Sequence, residues 1–280
     1  MKYKIESKNT TNFVELHDCQ CSQLLYENSK ITLEMEWMEI LSSHPENPYD
    51  KAHQSDIGLI EFNNIILIDC EIEGNNLTES IESKKSFLTD DILITSYFED
   101  SRISSNYKLA ELDGFLSENR FLKLEFLFKD SMVMWNDLNG ESWFEEKKWN
   151  YPKEEYTIKE ILKMMSWCNS EKIQKQGLKL ASNIKYLDHF FQPVIDNESK
   201  NLWENCAIVL SERTDEELTP WLIQCFAWMQ DMNWPGASII LDRLHKFADT
   251  ENLSREKNKA IKIARILKDN EWLKALYQIK

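Results

Sequence analysis

Glycine and proline are scarce in this sequence of 280 residues, which contains six of each. Neither G-x-G-x-x-G nor G-x-x-x-x-G-K-[ST] occurs, and this absence excludes nucleotide binding through the two common glycine-rich phosphate loops. No window approaches the roughly 18 uninterrupted apolar residues that a membrane span needs. The N-terminal stretch also lacks the apolar segment of a secretion signal. We therefore expect a cytoplasmic protein without a membrane partner.

Cysteine is present but follows no recognised pattern, because none of the six residues forms a C-x-x-C pair. Reduced thiols are expected in a long chain without a secretion signal. Cys206 and Cys225 fall on predicted apolar helix faces, where cysteine behaves as a small hydrophobic residue. The others are Cys19, Cys21, Cys70 and Cys168.

The composition is that of a folded protein, with 42% apolar residues and a net charge of −15. Residues 1–152 hold 29 of the 48 acidic residues and 14 of the 33 basic ones, so residues 153–280 hold 19 of each. All of the net charge therefore belongs to the first part. This asymmetry predicts an acidic surface for a cationic partner. Solubility is the alternative explanation, because surface carboxylates promote it.

Residues 1–152 show the pattern of short strands. Apolar and polar residues alternate over 31–38, which predicts a strand with one solvent-exposed face. The apolar run at 65–72 predicts a more central strand. A further alternating segment at 122–128 is followed closely by 132–135, and the two are predicted to form a hairpin. Strands at this spacing favour an antiparallel sandwich or open barrel.

The junction between two domains is predicted near Pro152, giving an acidic β-rich domain at 1–152 and a helical domain at 153–280. Thr157 and Glu160 form a capping box that begins the first helix. Helices are predicted at 157–168, 170–183, 199–212, 215–230, 235–248 and 254–278, the last with a break near Asp269. Suitable N-cap residues are Ser170, Ser199, Thr214 and Ser254. Successive helices of this size favour a HEAT-like layer, so the whole chain is expected to be α+β.

The helical part is organised around residues 218–247, where two apolar helices flank the corner Asn233-Trp234-Pro235. Asn233 suits a left-handed or turn conformation, and Pro235 suits the first position of a helix. The two helices are predicted to pack as an antiparallel pair.

The sequence of this region resembles an uncharacterised family of bacterial helical domains. The family is marked by a W-E-N-C-A segment, present here from Trp203, and by a W-L-Q-D-x-N-W-P-G-A corner, which reads W-M-Q-D-M-N-W-P-G-A here. The resemblance covers about the last 120 residues and implies a fold but no activity. Structural roles are predicted for the polar and aromatic residues of both motifs, because packing and helix-end hydrogen bonds explain them without a ligand. These residues are Trp203, Asn205, Asp231, Asn233, Trp234 and Pro235.

Three short strings in the N-terminal part, at 16–19, 26–28 and 43–48, resemble the early strands of small acidic β-domains in uncharacterised Gram-positive proteins. Several of those domains resemble immunity proteins of toxin–immunity pairs. The resemblance implies an inhibitor that binds a toxin in the cytoplasm of the producing cell.

Two reactive-site hypotheses involve His17, Cys19, Cys21, His44, His53 and Cys70. A zinc site is disfavoured because the C-x-C pair at Cys19 is not followed by a second close pair. A Cys–His nucleophile is disfavoured because no third orienting group or family motif accompanies it. We therefore predict no catalytic residue, no bound metal and no cofactor.

The sequence is most consistent with a non-catalytic protein-binding protein, an immunity or antitoxin-like inhibitor whose partner is a basic toxin such as a nuclease. The predicted contacts are Glu34, Glu36, Glu39, Glu71, Glu73, Asp90, Asp91, Glu99 and Asp100. A second hypothesis is a glycosylase-like enzyme acting on nucleic acid through the basic residues Arg255, Lys257, Lys259, Lys262, Arg265 and Lys268. A net charge of −15 repels phosphate, so no nucleic-acid partner is predicted. A two-domain adaptor is the third hypothesis.

Overall fold

The structure is a computed structural model that describes residues 2–104, 106–116, 120–142, 156–194 and 199–279, apart from the side chains of 82, 83, 100–102 and 104. The chain divides into two compact units, Met1–Asn150 and Tyr151–Lys280. Within the described ranges the first unit has 14 strands and one helix, and the second has eight helices. The predicted α+β class is therefore confirmed. The boundary predicted near Pro152 lies outside the described residues.

The first unit is built from antiparallel strands. Their bounds are β1 Ile5–Lys8, β2 Val14–Glu15, β3 Gln20–Glu27, β4 Lys30–Met35, β5 Glu39–Ile40, β6 His53–Ser55, β7 Gly58–Asn63, β8 Ile66–Ile72, β9 Asn75–Asn76, β10 Ser86–Ser104, β11 Tyr107–Phe115, β12 Phe121–Phe128, β13 Asp130–Trp135 and β14 Leu138–Glu141. A short helix, α1 Thr78–Lys84, lies between β9 and β10. Ten strands form one sheet in the order β1-β13-β7-β4-β3-β10-β11-β12-β8-β9, and the other four form a small sheet in the order β14-β6-β5-β2.

Strand β10 joins the two halves of the large sheet. Its residues 86–93 pair with β3, and its residues 93–104 pair with β11. The β3–β4 connection has only two residues, Asn28 and Ser29, with φ of 53° and 60°. Positive φ at both positions is what a two-residue hairpin loop requires.

The large sheet curves around one apolar core. Phe62 on β7 and Phe126 on β12 lie five positions apart in the strand order, about 24 Å along a flat sheet. Their ring centroids are nevertheless 5.1 Å apart. The sheet therefore rolls up until distant strands meet across its interior, as in the open barrel that was one of the two predicted arrangements.

The predicted hairpin between 122–128 and 132–135 is wrong. Strand β12 pairs with β11 and β8, whereas β13 pairs with β1 and β7. Only Lys129 separates β12 from β13, and the shortest common hairpin loop has two residues. The chain therefore passes from one side of the rolled sheet to the other at Lys129.

The second unit contains the helices α2 Ile158–Met164, α3 Glu171–Ala181, α4 Trp203–Ser211, α5 Asp215–Leu218, α6 Leu222–Trp228, α7 Ala237–Leu244, α8 Thr250–Ile266 and α9 Asn270–Leu276. The capping boxes of Thr157 and Thr214 are both present, as predicted. The break predicted at Asp269 is also present, because Asp269 caps α9.

Several predicted helix bounds and caps differ from those observed. The helix predicted at 215–230 is divided by a 3-10 turn at Thr219–Trp221, because Pro220 cannot continue the hydrogen bonds of α5. Helix α8 begins at Thr250 with Asp249 as its cap, so Ser254 lies inside the helix and is not an N-cap. Ser170 precedes α3 but makes no capping hydrogen bond through its side chain.

Helices of the second unit pack on sequence neighbours, as α2 does on α3 and α8 on α9, and also on helices that are distant in the sequence. Helix α7 packs mainly on α4, and α6 packs mainly on α8. The predicted antiparallel pair of α6 and α7 is therefore a minor contact, and these pairings differ from the successive pairs of a HEAT-type layer. Within the described helices, none is long and apolar enough to cross a lipid bilayer.

Candidate functional site

The outward-facing surface of the large sheet carries rows of polar side chains that stand opposite one another on neighbouring strands. In the first row Ser96, Asp113, Lys123 and Glu71 follow one another across β10, β11, β12 and β8. The residues on either side of Asp113 and Lys123 are buried, which places this row on the outer face. Ser96 donates a hydrogen bond from Oγ to Asp113 Oδ2 at 3.4 Å.

The second row is more acidic. Phe98, Glu111, Glu125 and Asp69 lie opposite one another on the same four strands. Carboxylates therefore stand directly opposite carboxylates on three adjacent strands. Like charges directly opposite each other destabilise a strand pair. Asp69 Oδ1 accepts hydrogen bonds from Thr78 Oγ1 at 3.0 Å and from the Cys70 backbone nitrogen at 3.1 Å.

A third row continues the outer face across β4, β3 and β10 through Glu34, Gln23 and Asp90. The Gln23 amide Nε2 donates to Asp90 Oδ1 at 3.2 Å. Asp91 is exposed next to Asp90 and has a left-handed backbone with φ of 53°.

We call the carboxylates of these rows, together with Asp91, the acidic face: Glu34, Asp69, Glu71, Asp90, Asp91, Glu111, Asp113 and Glu125. On the described parts of β4, β3, β10, β11, β12 and β8, which are neighbours in the large sheet, the lysines on this face are Lys30 and Lys123. Lys30 is ion-paired with a further carboxylate, Glu61. The face therefore carries a large excess of negative charge.

Four of the nine predicted contacts lie on the acidic face: Glu34, Glu71, Asp90 and Asp91. Glu36 follows β4 and Glu73 follows β8, and both are exposed but outside the rows. The backbone of Asp100 pairs with Leu109, whereas its side chain lies outside the described part of the structure.

The prediction that Glu39 is a surface contact is wrong. Glu39 is wholly buried on β5, between the buried residues Met38 and Ile40. Its Oε1 atom lies 3.5 Å from the side-chain nitrogen of Gln54. The alternation of 31–35 does not continue into this segment, because the chain leaves the large sheet there and enters the small one.

The prediction for Glu99 is also wrong, because its side chain is only 3% exposed and points inward. Its Oε1 lies 2.7 Å from Lys108 Nζ, and its Oε2 accepts hydrogen bonds from Thr11 Oγ1 at 2.6 Å and from the Tyr97 hydroxyl at 3.0 Å. Burial, followed by the charge of Glu99, raises the pKa of Tyr97 well above its usual value. This network satisfies a buried carboxylate and connects Thr11 with β10 and β11.

Four residues of the acidic face were not predicted from the sequence: Asp69, Glu111, Asp113 and Glu125. A signal for two of them was present, since Glu111 and Asp113 alternate with Ala110, Leu112 and Gly114. That period-two pattern marks β11 as a strand with one polar face. Their meeting with Glu125 and Asp69 depends on the register of β11, β12 and β8, which no local pattern reveals.

The residues of the reactive-site hypotheses serve the core or the surface. Burial raises the pKa of Cys19, Cys21 and Cys70 to about 12, so these thiols stay protonated at neutral pH. His44 is buried, whereas His53 stacks on Tyr49 with ring centroids 3.9 Å apart. Among the described residues, no three histidines, cysteines or carboxylates lie close enough together to hold a metal ion.

The W-E-N-C-A segment, which begins α4, contacts three other elements of the second unit. Asn205 donates hydrogen bonds from Nδ2 to the Met165 carbonyl at 2.6 Å and to Gln174 Oε1 at 3.0 Å. The Trp203 and Trp234 rings meet edge to face with centroids 5.6 Å apart. These contacts tie α4 to the end of α2, to α3 and to the corner before α7.

The W-M-Q-D-M-N-W-P-G-A segment forms the corner between α6 and α7. Asp231 Oδ1 accepts hydrogen bonds from the backbone and side-chain nitrogens of Asn233 at 2.8 and 3.0 Å. Asn233 lies in the turn, which is one of the two conformations predicted for it, and the left-handed residue is Gly236, with φ of 85°. Helix α7 begins at Ala237, so Pro235 precedes the helix, and its carbonyl accepts a hydrogen bond from Trp228 Nε1 at 3.2 Å.

The basic residues of the second hypothesis lie on or near α8, and several already have partners. Arg255 Nε lies 2.9 Å from Glu256 Oε1, and Lys257 Nζ donates to the Ile279 carbonyl at 2.5 Å. Arg265 donates to the Tyr277 hydroxyl at 2.8 Å. Lys262 and Lys268 are exposed.

Comparison with known proteins gives a family match for one part of the chain. Residues 203–279 match the family DUF5071, a domain of unknown function. This range runs from α4 to α9 and is shorter than the last 120 residues to which the resemblance was assigned. Neither the curated proteins nor the solved structures include a significant match. The second unit therefore contains a helical DUF5071 domain at residues 203–279.

Proposed function

We propose that the protein is a non-catalytic binding protein of the immunity or antitoxin type. In this proposal it inhibits a basic bacterial toxin, such as a nuclease, in the cytoplasm by covering it with the acidic face. The observation that carries the proposal is the series of acidic rows on the outer face of the large sheet, which includes Glu34, Glu71 and Asp90.

The physical basis is electrostatic steering. A surface with charge of one sign attracts a partner of opposite sign over distances near the Debye length, which is about 10 Å at 0.1 M salt. Such attraction raises association rates by about 10 to 1,000-fold and disfavours partners of the same sign. An inhibitor of a toxin gains from this because it must bind before the toxin reaches its target.

The test uses the product of the adjacent reading frame, provided that this product carries a basic toxin domain. The association rate is measured by stopped-flow fluorescence for the native protein and for a variant that combines Glu34→Lys, Glu71→Lys and Asp90→Lys. We expect the triple reversal to slow association at least about tenfold at low salt and to weaken the dependence of the rate on salt. Circular dichroism checks that the variant is folded.

Asp50→Lys is the matched control, because Asp50 is an exposed carboxylate in the loop between β5 and β6. This substitution should change the association rate much less than Asp90→Lys alone. Equal effects at Asp50 and Asp90 would remove the acidic face from the interface. The absence of any complex with a basic toxin domain would contradict the proposed function.

A nucleic-acid-acting enzyme is the second candidate, supported by the exposed side chains of Arg255, Lys262, Arg265 and Lys268 along and after α8. Helical spacing brings Arg255 and Lys262 to the same side of α8. A gel shift with duplex DNA and RNA at low salt distinguishes the candidates. Binding that is lost in Lys262→Glu would favour the enzyme, whereas no shift with either duplex would reject it.

A two-domain adaptor would instead bind a second protein through the helical unit.

A further inference from the structure

Large apolar side chains are exposed at the centre of the acidic face. Leu88, Leu93 and Phe98 on β10 are 55%, 39% and 47% exposed, and Phe115 on β11 is 45% exposed. We call these four residues the apolar ridge. Leu93 lies directly opposite Phe115, whereas along β10 Asp90 stands between Leu88 and Leu93 and Ser96 stands between Leu93 and Phe98. Exposed apolar residues that lie together mark interaction sites.

Two irregularities in β10 are needed to form the ridge. In a regular strand, residues 88 and 98 face one side and residue 93 faces the other. The left-handed Asp91 and the register shift between Ile94 and Ser96 change the alternation twice. As a result Leu93 lies on the outer face with Leu88 and Phe98, while Ile92 and Ile94 fill the core. A left-handed non-glycine residue costs about 1 kcal/mol, and such strain is often found at functional positions.

Phe115 of the apolar ridge pairs with a second aromatic residue. Phe115 lies opposite Leu93 on one side and opposite Phe121 on the other. The Phe115 and Phe121 rings meet edge to face with centroids 5.2 Å apart. Rigid aromatic side chains that lose little entropy on binding are typical centres of protein interfaces.

Carboxylates lie along the ridge and on its β11 side. Asp90 lies between Leu88 and Leu93 along β10, and Glu111 lies opposite Phe98 on β11. An apolar centre with a charged border is the arrangement of a protein interface. A second copy of this chain is an unsuitable occupant, because it would bring the same carboxylates against one another. A basic protein has the complementary charge.

We propose that the apolar ridge is the centre of the interface with a basic protein, which places apolar side chains on Leu93, Phe98 and Phe115 and surrounds them with lysine and arginine. This inference rests on the proposed function and assigns separate kinetic roles to the carboxylates and the apolar ridge. The carboxylates set the rate of association, and the ridge sets the rate of dissociation.

Two labelled peptides of about ten residues test the inference with the full chain. One alternates lysine and leucine, and the other alternates lysine and serine, so the two have the same charge. Fluorescence anisotropy at low salt should give a dissociation constant at least about tenfold lower for the lysine–leucine peptide. Combining Leu93→Ser, Phe98→Ser and Phe115→Ser should remove this difference and leave the affinity for the lysine–serine peptide unchanged.

Ile57→Ser is the matched control, because Ile57 is 64% exposed in the turn between β6 and β7 and lies off the ridge. This variant should retain the preference for the lysine–leucine peptide. Equal affinities for the two peptides on the native protein, or an unchanged preference in the folded ridge variant, would overturn the ridge and leave the acidic face intact. Failure of both peptides to bind would overturn the acidic face and the ridge together.

Discussion

Gly236 shows how one residue fixes the corner that leads into α7. Its φ of 85° is a conformation that residues with side chains rarely adopt. A Cβ atom at this position would lie 2.4 Å from the Cβ of Ala207 on α4. Both the backbone conformation and the close approach of α4 therefore require glycine.

We predict that Gly236→Ala destabilises the helical unit by about 2–4 kcal/mol, because left-handed strain and steric overlap add together. Urea unfolding followed by far-ultraviolet circular dichroism measures the change. Gly140→Ala is the control, since nothing lies within 4 Å of a Cβ there, and it should change stability by less than about 0.5 kcal/mol. If Ala207→Gly fails to recover part of the loss, the steric contribution is refuted.

His44 is a buried residue whose charge state depends on pH. Its Nδ1 accepts a hydrogen bond from the Glu46 backbone nitrogen at 3.0 Å, and its ring lies edge-on to Trp135 at 5.1 Å. Among the described residues, its Nε2 atom has no hydrogen-bond partner. Burial lowers the pKa of His44 from 6.5 to about 4.

The pKa of His44 predicts a loss of stability in acid. Between pH 6.5 and pH 4 the unfolded chain binds this proton more readily than the folded chain, so protonation favours unfolding as the pH falls through that window. We expect a contribution of about 2 kcal/mol from this residue. His44→Asn keeps an acceptor near the position of Nδ1 and removes the titration. Urea midpoints at several pH values should therefore fall less steeply for this variant, and parallel slopes would contradict the prediction.

At the scale of elements, the helices that begin with capping boxes depend on a few local hydrogen bonds. Thr214 Oγ1 accepts from the Glu217 backbone nitrogen at 3.2 Å, and Glu217 Oε2 accepts from the Thr214 backbone nitrogen at 2.9 Å. This reciprocal pair begins α5 just before Pro220 interrupts the helical hydrogen bonds.

We predict that Thr214→Ala costs about 1 kcal/mol of stability, because it leaves an unpaired N–H at the start of α5. Ser170→Ala is the matched control, since Ser170 precedes α3 without a capping hydrogen bond from its side chain. That substitution should cost less than about 0.5 kcal/mol. Chemical denaturation of both variants measures the difference, and equal losses would show that the capping box adds no stability.

Features that depend on neighbouring residues could be predicted from the sequence. The capping boxes, the break at Asp269 and the alternation in β4 all follow from side chains within a few positions of one another. The partners of β12 and β13 could not be predicted, because they depend on how the sheet rolls around its core. Glu39 and Glu99 were misplaced for the same reason, since a strand pattern does not reveal which residues a second sheet or a barrel end will cover.

The candidate site was predictable only in part. The sequence indicates that the first 152 residues hold the negative charge, and Glu34 and Asp90 are on the face that carries it. The apolar ridge had no local signal, because a left-handed aspartate and a register shift bring Leu93 to the same side as Phe98.

At the scale of the whole molecule, charge distinguishes the two units. The net charge of −15 belongs to residues 1–152, whereas residues 153–280 are balanced. Charge of one sign opposes the compact state through self-repulsion, and salt screens that repulsion. The two units should therefore respond differently to ionic strength.

We predict that raising salt from about 0.01 M to about 0.1 M, which shortens the Debye length from about 30 Å to about 10 Å, stabilises the first unit by about 1 kcal/mol. The helical unit should change much less. Hydrogen exchange followed by mass spectrometry can report β3 and β12 separately from α6 and α8 in the intact chain. An equal increase in protection in both units would argue against an electrostatic difference between them.

The pairing of β1 with β13 has a consequence for synthesis. Ile5 lies opposite Trp135, so the first strand has no partner until the ribosome has added about 130 more residues. At the usual rate of about 5–20 residues per second, that strand waits roughly 7 to 26 seconds. Strand β1 can join the large sheet only after this interval.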